Sequence, residues 1–330
     1  MKIALLCNLE ICIKKVYSTQ IIEKLNNLGE VSEIISIKNL EKNKEFLQQT
    51  EIVFSTWGMP SLTKEQIQEF LPKLKAVFYA AGTVQKFARP FLELGIKVFS
   101  AWQANGIPVA EFTFAQISLA NKGYFLSTKK YKINPLGALL HKVKHIGNYQ
   151  AKIGIVGLGA IGSNVCEKLK ALNCEVLAYD PFVSEEKAKA LGVKLVDLKT
   201  IFSECNVISN HLANKKELWG IYNMKLFKLM KPYSTFINTG RGRQVKEWQL
   251  AFYLLTHPKQ TAVLDVLTTD ISFLSPLWFC RNAICSPHIA GSMGQEDWRM
   301  AEYMLEEYDR YSKNLPTKYE VTIEMLKTMA

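Results

Sequence analysis

The spacing of apolar and polar positions changes period repeatedly along the chain and predicts short strands alternating with amphipathic helices. Lys2 to Cys7 reads as a strand, and Tyr17 to Leu28 as a helix, with Ile21, Ile22, Leu25 and Leu28 at helical spacing before Gly29. Val31 to Ile37 alternates as a strand does, and Glu51 to Ser55 is another strand leading to the turn Gly58-Met59-Pro60. Ser61 to Leu71 reads as a helix, with Thr63 as N-cap and Gln66 in the capping-box position. Lys75 to Tyr79 is an apolar strand that runs into Ala80-Ala81-Gly82-Thr83. A helix over Val109 to Asn121 precedes a lysine-rich segment interrupted by Pro135, Gly137 and Gly147. Alternation then resumes with strand Lys152 to Val156, helix Ile161 to Leu172, strand Glu175 to Tyr179 and helix Ser184 to Leu191. Short strands follow at Val207 to Ser209, Thr235 to Asn238 and Ala262 to Asp265, and a last helix at Gln295 to Lys313. Such alternation predicts parallel sheets covered on both faces, and 330 residues at roughly 150 per domain predict two α/β domains.

Composition narrows the function classes. With 48% apolar and 22% charged residues the chain is of globular type, which excludes a disordered or collagen-like reading. No apolar run reaches the roughly 18–20 residues of a bilayer span, and the first strand is too short for a signal-peptide core, so a cytoplasmic protein without a membrane partner is expected. The net charge of +11 admits either a nucleic-acid partner or small anionic ligands. Six lysines (122, 129, 130, 132, 142 and 144) crowd one stretch without an acid or an arginine, which favours a solvated lysine surface and no nucleic-acid partner. The seven cysteines form no C-x-x-C pair and, with the histidines, no zinc spacing; reduced thiols and no metal site are expected.

Three motifs carry chemistry. Gly157-Leu158-Gly159-Ala160-Ile161-Gly162 follows an apolar strand, opens a helix, and precedes Asp180 at the end of the next strand. In that order the glycines permit a tight turn and close backbone approach to a pyrophosphate, and the acid accepts from a ribose diol. Asp180 would repel a 2′-phosphate and no arginine follows it, so NAD is preferred and NADP disfavoured. In Asn238-Thr239-Gly240-Arg241-Gly242 an arginine in a glycine turn is placed to fork onto a carboxylate. In Ser286-Pro287-His288-Ile289-Ala290-Gly291 a histidine stands where a neighbouring acid could let it cycle a proton.

Together with Ala81-Gly82-Thr83, Val109-Ala110-Glu111, Met230-Lys231-Pro232 and Leu264-Asp265-Val266, these segments resemble the D-2-hydroxyacid dehydrogenase family over nearly the whole chain. The resemblance implies two doubly wound domains, with a Rossmann NAD-binding domain (101–296) inserted into a flavodoxin-like substrate domain (1–100, completed by 297–330) and the active site in the cleft between them. It implies a homodimer formed through the nucleotide-binding domain. The implied reaction interconverts a small 2-oxo acid and its D-2-hydroxy acid with NAD or NADH; an NAD-sensing co-regulator with little catalysis is the alternative that the same fold permits.

The resemblance also implies roles. Arg241 would clamp the substrate carboxylate and polarise its 2-oxo group, and His288 would act as acid/base. The turn Ala81, Gly82, Thr83 would hold the substrate carboxylate, with Trp57 at its side-chain end. Besides residues 157–162 and Asp180, the cofactor would meet His211, Thr239, Gly240, Asp265, His288 and Gly291, Asp265 being matched to the nicotinamide carboxamide. The family's glutamate partner of the histidine is replaced by Asp270, shorter by one methylene, and the proline that commonly follows it by Ile271. Ala213 stands where the family often has proline after a His-Leu pair.

Overall fold

The computed structural model describes residues 1–142, 144–269 and 272–327, and the chain divides into two compact units, Met1–Gly106 with Ser292–Ala330, and Ile107–Gly291.

The first unit is built on β1 (Lys2–Leu6), β2 (Glu30–Ile35), β3 (Thr50–Ser55), β4 (Ala76–Tyr79), β5 (Lys97–Ser100) and β13 (Glu320–Val321), in the order β13-β5-β4-β3-β1-β2. All neighbours are parallel except β13, which runs antiparallel along β5 at the edge. The inner strands are almost continuously apolar because helices cover both faces of the sheet. On one face Phe54, Phe78 and Phe99 stack in register across β3, β4 and β5, with ring centroids 5.1 and 4.7 Å apart. Tyr308, from the helix Gln295–Ser312, meets Phe78 edge-on at 5.5 Å, so a segment from the far end of the chain completes this core. The buried Glu307 accepts hydrogen bonds from the amides of Lys318 and Tyr319, both at 2.7 Å, and so delivers the tail to the sheet edge.

The second unit carries β6 (Lys152–Val156), β7 (Glu175–Tyr179), β8 (Lys194–Leu195), β9 (Val207–Asn210), β10 (Thr235–Asn238), β11 (Thr261–Leu264) and β12 (Ala283–Cys285). All are parallel, in the order β12-β11-β10-β9-β6-β7-β8, which is the doubly wound Rossmann arrangement with one added strand. Its winding reverses between β6 and β9, the switch point at which such sheets bind ligands beyond the strand ends. The two doubly wound α/β units are those the strand–helix alternation predicted.

Thr63 does cap the helix Lys64–Phe70 with Gln66 closing a capping box. The helix expected over 17–28 is Thr19–Asn26, opened by Ser18 as its N-cap, and a further helix that the spacing did not reveal, Glu10–Val16, precedes it. The helix expected from Val109 begins at Trp102 and passes through Pro108. Within the lysine-rich segment, Tyr124–Ile133 and Pro135–Lys142 are helical; Pro135 starts a helix there, since its missing N–H would have no partner in a first turn. Strands β8, β12 and β13, of two or three residues, are too short to show a period, and β5 was not read from the sequence. All seven cysteines are free, and among the described residues no cluster suits a metal ion and no helix is long and apolar enough to cross a membrane.

Phe78 has no exposed surface and is stacked or edge-packed on four aromatic neighbours, Phe54, Phe99, Tyr308 and Tyr311. Phe78→Ala is expected to destabilise this unit by about 3–5 kcal/mol, the usual cost of deleting a buried ring, read as a lower denaturant midpoint.

Candidate functional site

In the second unit every candidate residue described lies at or just beyond the carboxyl edge of the sheet. The turn after β6 starts at Gly157, whose φ of +96° only glycine adopts without strain; a Cβ there would press on the His211 carbonyl. At Gly162 a Cβ would overlap the carbonyl oxygen of Gly157, so the helix Ala160–Leu169 can sit this close to the turn only without a side chain at that position. Gly159 faces open space, no side chain caps the helix start, and Ala160 is exposed, with Ile161 half-buried behind it. A helix N-terminus with bare amides beside an open glycine suits a pyrophosphate.

Asp180, after β7, reaches back to this turn. Its carboxylate accepts from the amide of Leu158 at 2.8 Å and of Phe182 at 2.9 Å. Two of roughly four acceptor positions are therefore taken, and the others can serve a ribose diol. His211, after β9, is held by its own amide on the Val156 carbonyl at 2.7 Å and by a 2.9 Å bond between its Nε2 and the Ser209 hydroxyl. Burial pushes its pKa down to about 4, which leaves the ring neutral near pH 7.

Beyond β10 the chain turns at Thr239, Gly240 and Arg241. The Thr239 hydroxyl pairs with that of Thr113 at 3.0 Å, and the side chain of Asn238 accepts from the Gly240 amide at 3.0 Å and donates to the Arg241 carbonyl at 3.1 Å. Arg241 is half-buried, donates through Nη1 to the Gly240 carbonyl at 2.8 Å, and has its pKa lowered by burial. A guanidinium remains charged in proteins, and its unused N–H groups form a fork for a planar anion.

Beyond β11 and β12 the geometry is set by Asp265, which is 2% exposed. One oxygen accepts from the Ser286 hydroxyl at 2.6 Å and the Ile289 amide at 2.9 Å, and the other from the Ala290 amide at 2.9 Å. The Asp265 carbonyl takes the amide of His288 at 3.0 Å. These bonds hold His288 at a φ of +56°, a left-handed conformation uncommon outside glycine and found where surrounding structure over-determines it. The loop thus fixes the backbone of His288 and leaves its ring exposed, ahead of the half-buried Gly291. With three acceptor positions of Asp265 spent on the loop, about one is left for a carboxamide. Asp270 and Ile271 lie outside the described residues.

Strands β10 and β12 flank β11, so the turns carrying Arg241 and His288 leave the same sheet edge two strand spacings, roughly 10 Å, apart. The first unit presents its own carboxyl edge. There Thr56 donates to the Ala80 carbonyl at 2.7 Å, and the Ser100 hydroxyl contacts the carbonyls of buried Ala81 at 2.9 Å and half-buried Gly82 at 2.7 Å, just before exposed Thr83. Trp57 is half-buried, its carbonyl meets the Cys7 thiol at 3.1 Å, and the Lys15 ammonium lies 5.5 Å over its ring.

Motif reading missed polar residues that support the site, among them Asn210, Tyr222 and Gln244, and gave no role to Ser286, which opens the histidine motif.

A family profile described as the NAD binding domain of D-isomer specific 2-hydroxyacid dehydrogenases matches residues 137–290. A D-3-phosphoglycerate dehydrogenase of Synechocystis is 31% identical over 231 residues, which is 69% of this chain and 41% of that protein. The chain spans less than half the length of such curated relatives. Two solved structures share the fold: a phosphoglycerate oxidoreductase from Rhizobium etli (TM-score 0.80, 18% identity, 97% of each chain), and an acyclic imino acid reductase in complex with NADPH and D-Arg (TM-score 0.72, 23% identity, 97% of this chain and all of that one). The glycine turn, the arginine turn and the histidine loop as far as Ala290 all lie inside the region that matches the NAD binding domain of D-isomer specific 2-hydroxyacid dehydrogenases.

Proposed function

We propose that this chain is an NAD-dependent dehydrogenase that interconverts a small 2-oxo acid and its D-2-hydroxy acid. The observation that carries the reading is the joint placement of Arg241 and His288. A charged fork in a rigid turn and a histidine in a pinned left-handed loop share one sheet edge with an open glycine turn. Arg241 binds the carboxylate and draws electron density from the 2-oxo group, which develops negative charge during reduction. His288 donates a proton to that oxygen in reduction and removes it in oxidation, with Asp270 as its acidic partner. The cofactor, when bound, supplies or accepts the hydride. Residues 157–162 would hold its pyrophosphate and Asp180 its ribose, while His211, Thr239, Gly240, Asp265 and Gly291 border the remainder. Asp180 also favours NAD over NADP by repelling a 2′-phosphate. Ala81, Gly82, Thr83 and Trp57 form the substrate's side of the assignment. A homodimer through the second unit is supported by Tyr131, Ile133, Leu136 and Leu140, which are 60–80% exposed on two successive helices.

The direct test is NADH oxidation with glyoxylate, hydroxypyruvate, pyruvate and phenylpyruvate. Turnover with at least one is expected, and none across pH would remove the reading. His288→Ala should lower kcat by roughly 10²-fold or more, and Arg241→Lys should fail comparably because an ammonium cannot fork.

His211 separates acid/base chemistry from structure. Its folded pKa of about 4 lies below the roughly 6.5 of an unfolded imidazole, so the unfolded chain binds more protons between those values. Stability should therefore fall as pH drops from about 6.5 towards 4. Thermal midpoints of His211→Asn should decline less steeply over that window than those of the parent protein.

Sedimentation should give a dimer, and Leu136→Asp with Leu140→Asp should shift it to monomer. A parent monomer at micromolar concentration would refute the homodimer.

A further inference from the structure

Between the 211–213 loop and the Arg241 turn lies a set of polar side chains with no exposed surface: Asn210, Tyr222, Asn238 and Gln244. Asn210 is the hub. Its Nδ2 donates to Asn238 Oδ1 at 2.8 Å and to Gln244 Oε1 at 2.6 Å, which uses both of its hydrogens. Its Oδ1 accepts from the Tyr222 hydroxyl at 2.7 Å and the Leu212 amide at 3.1 Å. Gln244 in turn donates from Nε2 to the carbonyls of Leu212 at 3.2 Å and Ala213 at 2.8 Å. Asn238 passes the chain of bonds to Gly240 and Arg241. These partners fix the orientation of the Asn210 and Gln244 amides, since a flip of either would set like against like.

Burying several amides and a hydroxyl in a sheet edge is costly unless all are paired, and apolar residues would fill the same space at lower risk. A network so fully satisfied resists displacement of any member. It joins the loop after β9, which packs on Gly157, to the turn that carries the guanidinium. We infer that Gln244 and Asn210 are positioning residues for Arg241, locking its turn to the 211–213 loop so that the guanidinium is held in register with the dinucleotide-binding edge. The inference rests on the proposed dehydrogenase reading for its kinetic consequence and on the hydrogen bonds alone for the lock.

Gln244→Leu keeps the volume and removes the bonds to Asn210, Leu212 and Ala213. It should lower kcat/KM for the 2-oxo acid by roughly 10- to 100-fold, the scale of a misplaced binding group, with a smaller change in the dissociation constant of NADH. Acting through Arg241, it should add little to Arg241→Lys; in that background a further loss under about threefold is expected, since residues of one network do not add. Tyr222→Phe, which deletes one hydroxyl, gives a milder version should Gln244→Leu fold poorly. Hydrogen exchange of the amides at 239–244 should quicken in both variants. Full additivity with Arg241→Lys, or kcat/KM within twofold of the parent, would overturn the positioning role. Unchanged protection at 239–244 would overturn the lock itself. Because exchange needs no turnover, it decides the lock even if the parent protein oxidises NADH with no 2-oxo acid, a result that would defeat the dehydrogenase reading instead.

Discussion

A single buried carboxylate organises the end of the second sheet. Asp265 stands at the tip of β11 and binds three donors from the loop that follows β12. A carboxylate removed from water must be paid in hydrogen bonds, and here nearly every acceptor position finds one inside five residues of chain. The same bonds carry the strain of His288, whose positive φ costs of order 1–3 kcal/mol and is held by the loop around it. The residue whose carboxylate satisfies the loop is thus the one whose carbonyl holds the backbone of the histidine.

The parallel sheet imposes the second constraint. Strands that all run one way collect their following turns at one edge, so residues far apart in sequence become neighbours in strand order. Gly157, His211, Arg241, Asp265 and His288 follow five different strands, yet each meets the same rim. Anchoring is by backbone and buried side chain: Asn238 for Arg241, Ser209 for His211, Asp265 for His288. At that rim His288 is exposed and Arg241 half-buried.

Burial also sorts the titratable groups. The thiols of Cys166 and Cys205 are pushed up to about 12 by the surrounding core and stay protonated, which suits their role as small apolar fillers. His211 is pushed in the opposite sense and remains neutral. Two histidines close to the same edge therefore differ in kind, one a neutral hydrogen-bonding group beside the glycine turn and the other an exposed ring on a fixed backbone.

From the sequence alone one could read the alternation of strands and helices, the glycine turn with Asp180, and the arginine and histidine loops. Each is local: periodicity, turn chemistry and motif spacing need only a dozen residues of context. The edge strands β8, β12 and β13 were invisible because two or three residues have no period, and their pairing is decided by neighbours distant along the chain. The first turns of the long helix, from Trp102 to Pro108, and the helix opened by Pro135 were hidden by prolines whose effect depends on helix position. Least legible was the support of the site. Nothing in the letters distinguishes Asn210 or Gln244 from surface amides, because a hydrogen-bond network exists only once separate loops meet. Local chemistry determined which residues could act, and long-range packing alone decided where each one points.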